Sequence, residues 1–468
     1  MSGNVPSTIA DAFTALRSGA LTSVELTTSL LTRTAAHDST LGTFVARFDD
    51  TALAAAAQAD ADFAAGVDRG PLQGIPLGVK DIIAAAEGAT TACSKVLDPE
   101  WGRGVDAPVV ARLRAQGAVI TGKTATMEFA MGAPDPEGPF PIHRNPWDLE
   151  RWPGGSSSGT ATGIAAGLIL GGLGSDTGGS VRIPSALCGI SGLKTTYGLV
   201  PKSRVVPLGY SLDTIGPMAR TARDCALILQ AIAGASDDDA TSVDRPVPDY
   251  AAVLTGDASG LRIGVEREHH SDTEGFDDTC RDRFEDAVRA LEAAGAEIVD
   301  VHFDGYPVIT AAAMVTVAGE SLAYHLKDLQ SRFGDYGRAA RAALAMGAFY
   351  TSADYVQAQR VRAWGLDTLR RVLRACDVIV TPTIGVPAPR LTDNFWAMMP
   401  WTYTPAWNLL GAPAMSVPMG PIADGLPSGL QVIGGRFDDA TVLRVADAYQ
   451  QVTDWHTHVP DLVASATS

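Results

Sequence analysis

Cysteine is scarce in this 468-residue chain, and none of its five cysteines belongs to a C-x-x-C pair. The five are widely separated: Cys93, Cys188, Cys225, Cys280 and Cys376. An odd number of scattered thiols does not fit a disulfide framework or a cysteine zinc site, and it predicts reduced, mostly buried thiols. A nucleophilic cysteine stays open at this point.

Clustered positive charge is missing as well. The chain has 36 Lys and Arg against 53 Asp and Glu, which gives a formal net charge of −17 at pH 7. Phosphate backbones are bound by clustered Lys and Arg, so this balance argues against nucleic acid as a ligand. The histidines are scattered except for His269-His270 and the pair His456 and His458. Their polar, loop-like surroundings disfavour a metal site, and we expect no metal and no cofactor.

Long hydrophobic runs are also missing. The closest, residues 163–173, is glycine-rich, and it is shorter than the roughly 18–20 apolar residues that a membrane-spanning helix needs. Residues 1–4 do not begin a positively charged region followed by an apolar core, so no secretory signal is predicted. We therefore expect a cytoplasmic protein without a membrane partner.

The chain does contain enough apolar residues for a large core, since 46% of it is hydrophobic. Residues 8–66 have helical periodicity, and Thr22 with Glu25 forms a capping-box pattern. From residue 72 onward, short apolar strands alternate with helices, which is the pattern of an α/β sheet. The predicted strands are 75–79, 118–121, 261–265, 297–301, 377–381 and 429–433, and the predicted helices are 109–116, 278–294, much of 308–373, and 439–452.

Residues 150–200 have an unusual density of glycine and serine. Two runs stand out, Pro-Gly-Gly-Ser-Ser-Ser-Gly at 153–159 and Gly-Ser-Asp-Thr-Gly-Gly-Ser at 174–180. The first run is followed by a small-residue helix predicted at 160–170, which argues against a flexible linker. The region lacks the G-x-x-x-x-G-K-[ST] pattern of a phosphate loop, and the context of Ser180 is not the G-x-S-x-G pattern of a nucleophile elbow.

The second run predicts a backbone nest beside a serine. Glycine permits the φ values at which consecutive N–H groups point into one concavity, here those of Thr177, Gly178, Gly179 and Ser180. Such donors form an oxyanion hole, in which one donor is commonly worth about 2.7–4 kcal/mol. The hydroxyl also needs a base, and Lys80 is the candidate because burial at the end of an apolar strand favours a neutral amine. A solvated surface lysine is the alternative that position alone leaves open.

The sequence resembles the amidase signature family over nearly its whole length. In that family a lysine follows a G-I-P-[apolar]-x-V strand, one serine follows P-G-G, and another ends G-S-D-T-G-G-S. The matching positions here are Lys80, Ser156 and Ser180. The resemblance implies a Ser-cisSer-Lys triad in which Ser180 is the nucleophile, Ser156 follows a cis peptide bond and relays the proton, and Lys80 is the base. It also implies that Asp176 and Arg182 brace the loop.

The same resemblance implies the architecture. The expected fold is α/β, the amidase-signature fold, with a large mixed central sheet covered by helices on both faces. We expect a single domain over residues 1–468, with an N-terminal helical wrap at 1–70, the catalytic core at 71–220, and the rest of the sheet with substrate-pocket elements at 221–468. The expected partner is a small-molecule amide or carbamate, and a homodimer is left open.

Flanking segments, such as residues 145–151 and 426–431, are most similar to the A subunit of glutamine-dependent tRNA amidotransferases. In those proteins an arginine and an aspartate hold the charged end of glutamine. Here alanines and Trp401 occupy those positions, although an alignment shift of one residue brings Arg341 nearer. The aromatic and methionine-rich segment around Trp401 is interrupted by Pro400 and Pro405, which predicts a loop lining a pocket, with ordinary core as the alternative.

These replacements predict an uncharged, apolar or aromatic substrate. The expected enzyme is an amidase acting on linear amides, with aryl acylamidase or urethanase (carbamate-cleaving) activity as the finer prediction. The expected substrate-binding residues are Met131, Gly132, Trp401 and Tyr403. The alternatives are the glutaminase component of a tRNA-dependent amidotransferase and an aryl esterase-like member of the family.

Overall fold

A single mixed sheet of eleven strands runs through the computed structural model, which describes residues 5–136 and 138–464. Residues 1–4, to which the prediction of no secretory signal refers, lie outside the described residues. The strands are β1 (Phe44–Arg47), β2 (Pro76–Lys80), β3 (Val119–Thr124), β4 (Gly171–Asp176), β5 (Ser191–Lys194), β6 (Thr214–Ala219), β7 (Arg262–Val265), β8 (Glu297–Asp300), β9 (Val378–Pro382), β10 (Ala414–Pro421) and β11 (Pro427–Ile433).

The order of the strands is β1-β3-β2-β4-β6-β5-β10-β11-β9-β7-β8. Parallel pairs occur in two groups, β3-β2-β4 and β9-β7-β8, and the other neighbours are antiparallel. Antiparallel neighbours can be joined by short turns, whereas parallel ones need crossover connections, and helices supply these. The prediction of an α/β fold with a large mixed sheet is confirmed.

Fourteen α-helices occur among the described residues, and several pack directly on the sheet. For example, α7 contacts β6 and β5, α5 contacts β4 and β2, and α6 contacts β10 and β11. The helices are α1 (Ile9–Ser18), α2 (Ser23–Leu41), α3 (Asp49–Ala64), α4 (Pro108–Ala115), α5 (Ser158–Ala165), α6 (Arg182–Cys188), α7 (Ala222–Ile232), α8 (Asp278–Ala293), α9 (Tyr306–Arg332), α10 (Arg338–Ala345), α11 (Ser352–Val372), α12 (Pro405–Leu409), α13 (Asp439–Gln451) and α14 (Asp461–Ala464).

Local sequence explains where several elements begin. The capping box predicted at the start of α2 is confirmed, since Thr22 accepts from Glu25 N while the Glu25 carboxylate accepts from Thr22 N. Pro108 stands in the first turn of α4, where a missing N–H costs nothing. The predicted strands at 75–79, 261–265, 297–301, 377–381 and 429–433 agree with β2, β7, β8, β9 and β11 to within two residues at each end.

Strand β4 was not predicted, because its sequence Gly-Gly-Leu-Gly-Ser-Asp has little strand propensity. Close packing explains the glycines. A Cβ at Gly172 would lie 2.6 Å from Gly78 O, and one at Gly174 would lie 2.8 Å from Ser157 Oγ. Glycine at these positions lets the catalytic segments approach the strand.

Helix α9 is unusually long and apolar. The stretch Tyr306–Asp335 has a mean hydropathy of 1.3 in its most apolar window, which is enough by length and composition for a membrane span. The helix packs against α11, α12 and α10. Core helices pass the same test of length and composition, so this stretch is weak support for a membrane segment.

Candidate active site

The first catalytic candidate lies where two parallel strands end side by side. Strands β2 and β4 are parallel neighbours, with Val79 opposite Leu173. Their carboxyl ends therefore meet, and this places Lys80 beside Ser175. Lys80 Nζ lies 2.9 Å from Ser175 Oγ and 2.7 Å from Ser156 Oγ. Ser175 is a contact of the lysine that the sequence analysis missed.

Ser156 and Ser180 are brought together by the two Gly/Ser runs. The peptide bond between Gly155 and Ser156 is cis. Ser157 N donates to Ser180 O at 3.1 Å, which ties the first run to the second. Thr126 Oγ1 and Met127 N both donate to Ser156 O, at 2.9 and 3.3 Å. The carbonyl group of Ser156 is therefore held by residues 126 and 127, and the next residue, Ser157, is bonded to Ser180.

The environment of Lys80 favours the neutral amine. The side chain is fully buried, and this burial lowers the pKa of its ammonium group to about 7, although the Asp176 and Asp213 carboxylates favour the charged form. A surface lysine would remain protonated at neutral pH. The structure thus excludes the solvated surface charge that position alone left open.

Asp176 and Arg182 form a buried ion pair under the second run, with Arg182 Nη2 lying 2.9 Å from Asp176 Oδ1. Burial alone would raise the pKa of the Asp176 carboxyl, but the Arg182 guanidinium holds it well below its usual range. Arg182 also donates to Thr404 O, Gln431 Oε1 and Asn408 Oδ1. The pair therefore anchors the loop to segments from the far end of the chain.

The four predicted oxyanion-hole donors do not all face the same way. Gly179 N donates to Asp176 Oδ1 at 2.8 Å, so this N–H points into the loop. Gly179 has φ of +130°, and a Cβ there would lie 2.1 Å from Thr404 Oγ1, so only glycine fits. Thr177, Gly178 and Ser180 line the cavity above the serines and remain the candidate donors.

That cavity has a volume of about 230 Å³ and an apolar wall. Met131 and Gly132, two of the predicted substrate-binding residues, line it, and so do Met314, Met346 and Met398. None of its lining residues among those described is charged; they are Met127, Ala130, Met131, Gly132, Trp152, Gly155, Ser156, Thr177, Gly178, Ser180, Ile183, Leu208, Met314, Val317, Ala318, Ala343, Met346, Tyr350, Trp396, Met398, Met399 and Pro405.

The structure corrects the placement of two other predicted substrate-binding residues. Trp401 and Tyr403 are not among the residues that line the cavity. Tyr403 is buried, with its hydroxyl donating to His270 O at 2.9 Å. Trp401 packs against Gly275. The segment forms a 3-10 helix over Phe395–Trp401 rather than an open loop, and Trp396, Met398 and Met399 line the cavity instead.

The other titratable candidates lie outside the cavity above Ser180. All five cysteines are free and buried, and burial raises the pKa of the Cys93 thiol, which argues against a cysteine nucleophile. In the described part of the chain, one group of three could hold a metal ion, with ligand atoms of Glu266, His269 and His302 within 4.8 Å of one another. None of these three lines the cavity.

Comparison with known proteins identifies the family of the chain. The sequence profile of the amidase family matches residues 25–443. The chain belongs to the amidase family. This amidase is also 44% identical to the A subunit of the glutamyl-tRNA(Gln) amidotransferase of Roseiflexus sp. (strain RS-1), over 97% of this chain and 98% of that relative.

Two solved structures are close in fold to this amidase. The native peptide amidase from Stenotrophomonas maltophilia superposes with a TM-score of 0.86 at 32% identity, covering 96% of this chain and 98% of the other. A bacterial aryl acylamidase of the amidase signature family has a TM-score of 0.86 at 24% identity, covering 98% of each chain. The second likeness supports the fold alone. This amidase is thus a hydrolase of the amidase signature family.

Proposed function

We propose that this amidase hydrolyses the C–N bond of uncharged apolar or aromatic amides, and that it accepts the related aryl carbamates. Ser180 Oγ attacks the carbonyl carbon, and its proton passes through the Ser156 hydroxyl to neutral Lys80. The C–N bond then breaks as the amine takes a proton from this relay. Water attacks the acyl-enzyme next, releases the acid and restores Ser180.

Two features near the serines support the chemistry. A base must be deprotonated before it can act, and the buried Lys80 amine meets this requirement near neutral pH because its pKa is about 7. Thr177, Gly178 and Ser180 N–H groups beside the cavity would stabilise the negative oxygen of the tetrahedral intermediate.

The absence of charged residues from the described lining of the cavity carries the substrate proposal. Free glutamine has an ammonium and a carboxylate group, and burying either one without a partner costs several kcal/mol. Burying an aromatic ring instead contributes roughly 1.5–3 kcal/mol, or about a ten- to hundredfold preference over acetamide.

Glutamine hydrolysis, as one component of a tRNA-dependent amidotransferase, is the second candidate, favoured by the 44% identity to such a protein. It needs a cation for the α-carboxylate of glutamine. Arg341, the nearest candidate in the sequence, lines a neighbouring cavity rather than the one above Ser180. This placement favours the apolar amide.

A side-by-side comparison of kcat/KM on glutamine, acetamide and an anilide separates the two candidates. The purified protein alone should hydrolyse the anilide at least about tenfold faster than acetamide, and glutamine most slowly. The Ser180→Ala variant is the control for contaminating activity. Faster turnover of glutamine than of the anilide would overturn the substrate proposal while leaving the catalytic residues in place.

A further inference from the structure

The side chain of Thr177 is held by a buried carboxylate, Asp213, to which the proposed mechanism assigns no role. Thr177 Oγ1 donates to Asp213 Oδ1 at 2.6 Å. The N–H groups of Gly209 and Leu208 also donate to this carboxylate, at 2.9 and 3.0 Å. Burial raises the pKa of the carboxyl, while these three donors and the charge of Lys202 oppose that rise. Three donors aimed at one carboxyl group fit its ionised form, which only accepts hydrogen bonds.

The turn that carries Asp213 is itself fixed to helix α9. Ser211 N and Ser211 Oγ donate to the Glu320 carboxylate on that helix, at 2.8 and 2.6 Å. Asp213 N donates to Gly209 O at 2.8 Å, which closes the turn. A Cβ at Gly209 would lie 2.9 Å from Thr177 Cγ2, so glycine lets the turn pack against the methyl group of Thr177. The position of the carboxylate is therefore set by the turn and not by Thr177.

The backbone of Thr177 is oriented from its other side. Asp176 O accepts from Thr214 Oγ1 and from Asn408 Nδ2, both at 3.1 Å. The C=O and N–H groups of a trans peptide unit point in opposite directions, so the Thr177 N–H points away from these two donors. Thr177 also lines the apolar cavity, where its N–H is a candidate oxyanion donor. The direction of this N–H thus depends on the backbone contacts and on the side-chain contact with Asp213.

We propose that Asp213 is a positioning residue for the hydrolysis, which holds the Thr177 side chain so that the Thr177 N–H faces the negative oxygen of the tetrahedral intermediate. This inference rests on the proposed function. An oxyanion hole acts through donors that are in place before the charge develops. A displaced donor therefore lowers kcat more than it weakens substrate binding. Asp213 does not line the cavity, and its effect passes through Thr177.

Variants at the two positions test the proposal with an anilide as substrate. Thr177→Val removes the hydroxyl group but keeps the shape and the N–H, and it should lower kcat about ten- to hundredfold while changing KM less than about threefold. Thr177→Ser keeps the hydroxyl group and should stay within about threefold of the wild-type kcat. Asp213→Asn replaces one accepting oxygen by a donor and should lower kcat at least about tenfold. The double variant Thr177→Val with Asp213→Asn should lose less than the product of the single losses, because both changes break one contact.

A second buried pair provides the matched control. Thr196 Oγ1 donates to Asp439 Oδ2, also at 2.6 Å, and both residues are buried but do not line the cavity. Thr196→Val removes the same kind of hydrogen bond away from the cavity. It should lower the melting temperature and leave kcat within about twofold of the wild type. A fall in kcat equal to that of Thr177→Val would show that both threonines act through stability alone, and would overturn the proposal.

Binding of benzyl trifluoromethyl ketone measures the oxyanion donors without turnover. Ser180 Oγ adds to the ketone carbon, the serine proton passes through Ser156 to Lys80, and the ketone oxygen becomes an anion. The corresponding secondary alcohol cannot react and binds through the cavity wall alone. Thr177→Val and Asp213→Asn should therefore weaken binding of the ketone about tenfold or more and binding of the alcohol less than about twofold.

Equal weakening of the ketone and the alcohol would overturn the proposal, as would additive losses in the double variant or full activity of Thr177→Val. The Thr177 variants leave the carboxylate in place and decide the question even where Asp213→Asn destabilises the fold. If the wild type hydrolyses no anilide, the proposed function fails, and the ketone then tests this inference separately. Ketone binding that Thr177→Val weakens and Thr177→Ser restores supports it, and unchanged or absent ketone binding contradicts it.

Discussion

The catalytic end of β2 and β4 and the apolar wall above it are built in opposite ways. At the catalytic end, Lys80, Ser156, Asp176 and Arg182 are all fully buried, and each has a polar partner at hydrogen-bond distance. The wall consists largely of methionine and aromatic side chains from distant segments, and Trp396 in it is 45% exposed.

Under the proposed function, this difference separates the residues that do the chemistry from the residues that select the substrate. In a buried polar network, replacing one residue leaves several other groups without hydrogen-bond partners. Few substitutions are therefore tolerated there. Methionine side chains are flexible and fill irregular space, so a wall made of them tolerates replacement. The same catalytic end is therefore compatible with many walls, and substitutions in the two regions should differ in size and in kind.

The largest effect is expected at the nucleophile. Ser180→Ala should lower kcat on an anilide by at least about 10⁴-fold, and Lys80→Ala should be nearly as damaging because the proton of Ser156 then has no acceptor. Thermal unfolding should show both variants folded. Retention of more than about 1% of wild-type kcat by Ser180→Ala would exclude Ser180 as the nucleophile.

The next effect is on stability. Arg182→Met leaves the Asp176 carboxylate buried without its ion partner, which should cost about 3–5 kcal/mol in the free energy of unfolding. Arg289→Met removes an exposed arginine paired with Asp286 and should cost less than about 1 kcal/mol. Urea titration of both variants measures their free energies of unfolding. Similar losses in the two would show that the buried ion pair contributes no more to stability than the exposed one.

The pH dependence should be smaller but diagnostic. Only neutral Lys80 accepts a proton, and its pKa is about 7. Therefore kcat/KM should rise about tenfold between pH 6 and pH 8 and then level off. Lys194 is also fully buried with a pKa of about 7, but it contacts neither serine, so Lys194→Met should keep the same rise. If the rise in kcat/KM disappears in Lys194→Met, the titrating group is Lys194 and not Lys80.

The smallest effect is expected in the wall. Trp396→Ala should lower the preference for an anilide over acetamide about three- to tenfold, because only part of this side chain is buried against a substrate. Trp401→Ala is the matched control, since Trp401 belongs to the same 3-10 helix but does not line the cavity. The relative kcat/KM of the two substrates provides the measurement. An equal change in both variants would show that the segment acts only through packing.

The catalytic residues could be predicted more fully than the wall, and the reason is distance along the chain. Lys80 ends an apolar strand and Ser180 ends a glycine run, so local sequence made both of them candidates, and the resemblance to the amidase signature family then implied their roles. Ser175 was missed because its role depends on β4 lying beside β2, and the glycine-rich β4 lacks the pattern of a strand. Trp401 was misplaced because a run of aromatic residues does not reveal which of them face a cavity. Nothing in the sequence around Met314 on α9 indicates that its side chain lines the cavity.

The anchoring of Arg182 has a consequence for the synthesis of the chain. Its guanidinium contacts Gln431, which lies 249 residues further along the sequence, and Asn408, which lies 226 residues further. A ribosome that has produced Lys80, Ser156 and Ser180 has therefore made every side chain of the proposed catalytic set, but not the groups that hold the loop around Asp176 and Arg182 in shape. The nascent amidase should stay inactive until β11 has emerged from the exit tunnel, so the order of translation itself delays hydrolysis until the sheet is complete.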